Sequence, residues 1–582
     1  MRLTSKCWRR WLCLAMVLIG LSGSVAQAAS LVMETDELRP GMRGIGKTVV
    51  SGTTIEDFDV EIIDVMHQPG DGDLILVRTS GDVIDRTGGI AQGMSGSPVF
   101  IDGRLVGAVA YGWKLSDSRV GMLTPIAEMM KIGAGDKPEG AVQSTALFPK
   151  GTPLMASGFT ERGLSHLREK LSVYGLEPMA VGLAPEAVVG TVLEPGSSLC
   201  AELVRGDLSL GALGTVTWVD GDRVWAFGHP FLRRGASDYF LSNAWVYTTV
   251  PSISSSFKLG APGELLGRIE EDRQAGITGE TNRYPKIIPM LVKVKDLDRG
   301  TEQTAALQVV QDEELGALLC ETAAFNVVDR VLDRAGAGTA TVKFHVSALD
   351  TPDGQQIERS NMFYNPTNIN AAVGDEFAEA INMLLQNRFH PVTIMDTGIE
   401  VEITGANKTA NIVSAQVLDK QAHPGETVKV EVKFDTWRGG TQTRTVMFTI
   451  PKDQQPGEVR LVVRGGAGAA WLQWVMKQQE QTAVLRKTKK KDKTFSEIMT
   501  DFSKQDRNND IVVDFAAKPM TEAQATQAAA QAQAAAQSDS GDEEQAIRAV
   551  ATSALKGTKY KQATPIDYVI DGEAYAKITI VQ

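Results

Sequence analysis

The sequence predicts a mainly β protein of several domains: two small barrels, then a β-sandwich-like domain, a helical segment and a C-terminal β-hairpin. Three observations carry this. Glycine is frequent, at 56 residues, while aromatics make up only 6%, a balance that favours turn-rich β structure over long bundles. Short apolar runs rich in β-branched residues alternate with turns through most of the chain. At 582 residues the chain is also too long for one hydrophobic core.

The first 28 residues read as a secretory signal. Arg2, Lys6, Arg9 and Arg10 form a positive start, an apolar core runs from Trp11 to about Leu21, and Ala26-Gln27-Ala28 fits a cleavage site. The apolar run is short for a membrane span. The mature protein is therefore expected outside the cytoplasm, periplasmic or extracellular, with no stable membrane span. Cleavage removes four positive charges and no negative ones, so the net charge moves from −12 to −16. Such an acidic chain is a poor partner for nucleic acid or anionic lipid. The basic run Arg486–Lys493 reads as a solvated helix end or loop.

Two barrel halves follow, 29–145 and 206–335, joined by a connecting segment, 146–205, with a helix at Thr160–Tyr174. In the first half Phe58–Met66, Asp73–Thr79 and Arg104–Trp113 are predicted strands. Asp102-Gly103 and Asp220-Gly221 mark tight hairpins, because such turns need positive φ and glycine supplies it. The stretches VFIDGRLVGAVAYG and VTWVDGDRVWAFGH read as a pseudo-repeat, one per barrel.

The β-sandwich-like domain is placed at 336–468, with Val428, Val430, Val432 and Phe434 on one face of a half-buried strand. Further strands are expected at Ile399–Ile403, Val446–Ile450 and Glu458–Val463, with a helix at Asp375–Asn387 facing Phe377, Ile381 and Leu384 inward. A helical segment, 469–520, a low-complexity linker, 521–547, and a hairpin around Asp571-Gly572 in 548–582 complete the chain.

Candidate chemistry concentrates in GGIAQGMSGSP, Gly88–Pro98. Acyl transfer by serine needs an exposed hydroxyl on a tight turn, two backbone N–H groups for the oxyanion, and a base. Glycines flanking a serine permit the turn and leave room for substrate. Ser95 is the candidate nucleophile, and the amides of Gly93 and Ser95 the candidate oxyanion hole. Ser97 reads as a turn residue.

This turn and its hairpin are similar to the serine turn of trypsin-like peptidases. They resemble more closely the SpoIVB-type serine peptidases, whose T-G-G-I-x-x-G-M-S-G-S-P run is reproduced by Thr87–Pro98, with Gly107-Ala108 closing the hairpin. The strand Glu56–Ile63 is similar to the same family. The resemblance implies a trypsin-like double β-barrel and a peptidase with Ser95 as nucleophile. WAFGHPF resembles the family's G-H segment, which makes His229 the base; His67 is the reserve candidate. His166, His345, His390 and His423 read as structural or surface residues. Ser95 precedes His229, the reverse of the family order, so the barrel halves are permuted. The position of the family aspartate is occupied by Ser80. Asp82, Asp85 and Asp238 are the alternative third members, as is a backbone carbonyl or serine hydroxyl orienting the imidazole.

No metal or other cofactor is expected, since no C-x-x-C or H-E-x-x-H spacing occurs. Cys200 and Cys320 remain after signal cleavage and are open to two readings, a disulfide or two buried thiols. The expected partner is a protein substrate in the cell envelope, with a protein partner also open for the sandwich domain. The alternative function is a catalytically inactive peptidase-fold scaffold.

Overall fold

The computed structural model describes residues 31–67, 72–113, 115–133, 148–149, 153–252, 254–354, 356–467, 493–515 and 560–582. The signal segment, the low-complexity linker and most of the basic run lie outside them.

Strand β1 (Arg43–Val49), β2 (Ile55–Met66), β3 (Leu74–Ser80), β4 (Pro98–Ile101), β5 (Arg104–Gly112) and β6 (Val120–Pro125) pair in the order β4-β1-β2-β3-β6-β5. A further β4–β5 pairing closes the ring into a six-stranded barrel. The period-2 pattern of β2 explains its orientation: Phe58, Val60 and Ile62 point into the core while Asp57, Asp59 and Glu61 face out. β5 is buried along nearly its whole length. One of its faces fills the barrel through Val106 and Val109. The other, with Leu105 and Ala108, packs against Trp225 and Ala275 from later in the chain. An apolar run without alternation is what burial on both faces demands.

The short β7 (Phe148–Pro149) borders β5, and β8 (Leu154–Ser157) and β9 (Pro178–Val181) lie at the edge of a second sheet. Its centre is another ring. Strands β10 (Ser198–Gly206), β11 (Ser209–Asp220), β12 (Arg223–Ala226), β13 (Gly235–Val250), β14 (Phe257–Arg273) and β15 (Gly276–Thr281) pair in the order β10-β13-β14-β15-β12-β11, and β10–β11 closes it. The second ring begins at Ser198, within the segment read from sequence as a connection. The expected hairpins are present, with one shift: Asp102 and Gly103 both have positive φ, whereas the second turn is centred on Gly221-Asp222 between Asp220 and Arg223.

The sheet continues past the ring through β16 (Ile287–Asp296), β17 (Thr301–Val310), β18 (Gly338–Leu349), β19 (Ile357–Asn365) and β20 (Thr393–Thr404). β20 runs parallel to β16. Strand pairing therefore crosses residue 336, and Ile399–Ile403 belongs to this sheet rather than to the sandwich. The helix Gly316–Leu332 packs on β16 and β17 and is buried on almost every face, so it shows no amphipathic stripe. The expected helices form at Glu161–Leu171 and Asp375–Leu385. Phe377, Ile381 and Leu384 are fully buried.

The sandwich consists of two sheets whose inner faces share one core, with Val428, Val430, Val432 and Phe434 from one and Leu461, Val463, Ile578 and Ile580 from the other. The chain bends at Asp571-Gly572 as expected, but its arms do not form a hairpin. Val569–Asp571 pairs with Thr409–Val417 in the four-stranded sheet, and Glu573–Ile580 with Gly457–Gly465 in the five-stranded one. Each arm satisfies its backbone on a different free edge. Cys200 and Cys320 are both free and buried, the first on β10 and the second in the helix Gly316–Leu332. Among the described residues no helix is long and apolar enough to cross a membrane.

Candidate active site

The serine turn sits where the barrels touch. Met94 N–H donates to the Ala91 carbonyl at 3.0 Å and Ser97 N–H to the Met94 carbonyl at 2.9 Å, giving two successive tight turns. Gly93 and Gly96 have φ of +90° and +92°. Gly96 is required twice over, since a Cβ there would overlap the Thr215 carbonyl of β11. The buried Met94 side chain anchors the turn in the first barrel's core.

The second barrel holds the turn from the other side. Thr215 N–H donates to the Ser95 carbonyl at 2.8 Å, and Thr217 Oγ1 to the Gly96 carbonyl at 2.8 Å. Gly96 N–H donates to the Val109 carbonyl of β5 at 2.7 Å. The amides of Met94, Gly96 and Ser97 are thus committed to protein carbonyls. Those of Gly93 and Ser95, the pair expected to receive an oxyanion, find no partner among the described residues. Ser95 Oγ and Ser97 Oγ are buried without a hydrogen-bond partner among the described residues.

His229 lies on the β12–β13 loop. Phe227 and Gly228 both have positive φ, +70° and +68°, and a buried phenylalanine in that region is strained. Two features hold the loop. Thr124 Oγ1 of β6 donates to the Gly228 carbonyl at 2.5 Å. The buried Asp272 carboxylate of β14 accepts from the amides of Phe231 at 2.8 Å, Leu232 at 2.6 Å and Arg234 at 3.4 Å. Burial raises the Asp272 pKa and these backbone donors oppose that shift.

The imidazole itself is oriented by its neighbour. His229 Nδ1 lies 2.8 Å from the Pro230 carbonyl. A carbonyl only accepts, so Nδ1 carries the proton and Nε2 the lone pair. Nε2 is buried and has no hydrogen-bond partner among the described residues. Burial pushes the His229 pKa down to about 4, against the Pro230 bond, so the ring is neutral at pH 7.

Serine turn and histidine loop share two neighbours. Gly96 bonds the Val109 carbonyl, and a Cβ on Gly228 would meet that same oxygen at 3.2 Å. The Thr215 carbonyl accepts the Phe227 amide at 3.4 Å, while its amide holds Ser95. The structure thus brings the two segments together, although Ser95 Oγ and His229 Nε2 share no hydrogen bond. Both residues are closed from solvent, at 0% and 2% exposure. A cavity of about 1020 Å³ is lined by Glu202, Arg205 and Met290 rather than by Ser95. A smaller one of about 480 Å³ borders the histidine loop at Pro230, Phe231 and Arg233.

The other sequence candidates lie elsewhere. Asp82 accepts from Arg86 and Asp85 from Arg119, both on the short helix after β3. Ser80 ends β3 and is exposed. Asp238 accepts from the Lys286 amide at 2.8 Å. His67 is exposed and bonds Asp73. The group on His229 Nδ1 is the Pro230 backbone carbonyl, and none of Asp82, Asp85, Asp238 or Ser80 bonds that nitrogen. His166 bonds Glu321, His345 bonds Asp396, and His390 bonds the Asp350 carbonyl. Among the described residues no cluster of three or more potential ligands could hold a metal.

Two residues escaped the sequence reading. Asp272 sits in the charged run Glu270-Glu271-Asp272-Arg273, which reads as a solvated edge. Lys258 is fully buried beneath the serine turn. A lone lysine in a strand ordinarily faces water, so neither carried a signal.

A serine on a glycine turn and a neutral histidine thus sit on adjoining segments at the seam of two six-stranded barrels. Residues 21–130 match the family described as SpoIVB peptidase S55. The matched region covers the whole first barrel and Ser95, and ends before His229. No curated protein and no solved structure matches the chain.

Proposed function

We propose that the chain is an exported serine endopeptidase that cleaves a protein of the cell envelope through an acyl-enzyme at Ser95. The observation that carries this is the state of His229: neutral, with its Nε2 lone pair uncommitted, on a loop packed against the serine turn. In this reading Ser95 Oγ attacks the scissile carbonyl and passes its proton to Nε2, which returns it to the leaving amine. The amides of Gly93 and Ser95 receive the oxyanion. The Pro230 carbonyl orients the imidazolium and stabilises it less than a carboxylate would. Since Ser95 and His229 are enclosed, substrate entry requires the barrel seam to open.

The same enclosure, with no carboxylate on His229, favours a second reading in which the double barrel is a binding scaffold. A fluorophosphonate probe separates them. Labelling of the purified mature protein that is lost in Ser95→Ala and in His229→Ala supports the peptidase. Absence of labelling in a folded sample, or labelling that survives Ser95→Ala, rejects it.

A further inference from the structure

Lys258, near the start of β14, has no solvent exposure and bonds no carboxylate among the described residues. Its Nζ lies 3.0 Å from Thr48 Oγ1 of β1 and 3.0 Å from Thr215 Oγ1 of β11, so one ammonium ties the two barrels together. The direction of these bonds can be worked out. Thr215 Oγ1 donates its one proton to the Gly93 carbonyl at 2.9 Å, because that carbonyl can only accept. Toward Lys258 the hydroxyl must therefore accept, and Nζ donates.

The main chain of Lys258 acts on the same loop. Its N–H donates to the Gln92 carbonyl at 2.8 Å, while Gln92 N–H donates to the Ser256 carbonyl at 2.7 Å. The Gln92 carbonyl and the Gly93 amide belong to one planar trans peptide, so fixing one direction fixes the other. Lys258 thus holds both carbonyls that flank the Gly93 residue, one directly and one through Thr215.

A buried ammonium without a counter-ion is costly, and a methionine of similar length would fill the space without that cost. The groups facing Lys258 are Thr48 on β1, Thr215 on β11, Thr249 opposite it on β13, and Gln92 in the serine loop. None is charged.

We propose that Lys258 is a positioning residue of the Ser95 site, fixing the Gly93 amide and placing a positive charge behind the oxyanion hole. The catalytic half of this rests on Ser95 being the nucleophile; the loop-holding half does not. Burial lowers the Lys258 pKa to about 7. The charge is present below that pH and lost above it, so reaction at Ser95 should slow as pH rises through neutrality. That limb is opposite in sign to deprotonation of His229.

The test uses the full mature chain with Lys258→Met and Thr215→Val, the latter deleting only the relaying hydroxyl. Circular dichroism checks the fold. Amide exchange by mass spectrometry over residues 91–97 should accelerate roughly tenfold or more in both variants, with the β2–β3 region unchanged. Fluorophosphonate labelling of Lys258→Met at pH 6 should slow by about 10- to 100-fold and lose the alkaline fall. Thr215→Val should also slow but keep that fall. Unchanged exchange at 91–97, or an alkaline fall retained in Lys258→Met, overturns the proposal. If Lys258→Met does not fold, Thr215→Val decides the loop-holding half through exchange. It decides the catalytic half by keeping or losing the alkaline fall. If the wild type never reacts yet exchange accelerates in the variants, the nucleophile reading falls and the loop-holding role stands.

Discussion

The Pro230 carbonyl accepts from His229 Nδ1 at 2.8 Å, in the place where a triad carboxylate would stand. A residue bonded to its own successor holds its tautomer by local geometry alone. The charged partner is displaced to Asp272, which holds the loop through its amides rather than touching the ring.

The first prediction concerns acid. His229 is held neutral down to about pH 4, against an ordinary value of 6.5. The acid limb of fluorophosphonate labelling should therefore fall near pH 4. A lowered folded-state pKa also means that the unfolded chain takes up a proton first as pH drops below about 6.5, so stability is lost from there down through about 4. His229→Phe should weaken that loss in urea titrations at pH 7 and 5. An acid limb near 6.5 would contradict the burial argument.

Asp272→Asn removes the charge and turns an amide N–H₂ toward backbone donors. The expected cost is about 1–3 kcal/mol in urea unfolding, because buried N–H groups lose their acceptor. The labelling rate should fall at least tenfold while Ser95 stays in place, which exchange over residues 91–97 would report. Wild-type stability and rate in this variant would remove Asp272 from the site.

Two glycines with similar φ should respond differently to alanine. Gly103 has φ +76° and open space around it, so Gly103→Ala should cost about 1 kcal/mol. Gly96→Ala adds an overlap with the Thr215 carbonyl and should cost roughly 3 kcal/mol or more. Thermal unfolding of the two variants side by side tests this, and equal losses would reject the close approach of turn and β11.

Cys200 and Cys320 are buried, and burial raises both thiol pKa values. Neither should react with a thiol-specific disulfide reagent in the native protein, and both should react once urea unfolds it. Dithiothreitol should leave the melting temperature unchanged. One thiol pair detectable only after reduction would point to a disulfide instead.

Much of the barrel architecture was readable because local pattern decides it. The alternation in β2, the glycine turns and the continuous apolar run of β5 each state how many faces are buried. The turn that carries Ser95 was readable for the same reason, since it is built from its own glycines. Pairing at long range was not. Nothing in Ile399–Ile403 distinguishes an edge of the sandwich from a parallel partner of β16, because both need only a half-buried strand. Gly316–Leu332 hid its helix by being buried on almost every face, its polar Glu321, Asn326 and Asp329 included. Lys258 and Asp272 act through burial, and burial is a property of the neighbours rather than of the residue.

The barrel seam also sets an order in time. Ser95 and its turn are complete within the first ring, yet every strand of the second ring follows in the chain. A growing polypeptide that has reached Met130 holds the Ser95 hydroxyl without His229 and without Thr215 to brace its turn. In the peptidase reading, Ser95 meets its base only after Thr281 has emerged and the second ring has closed.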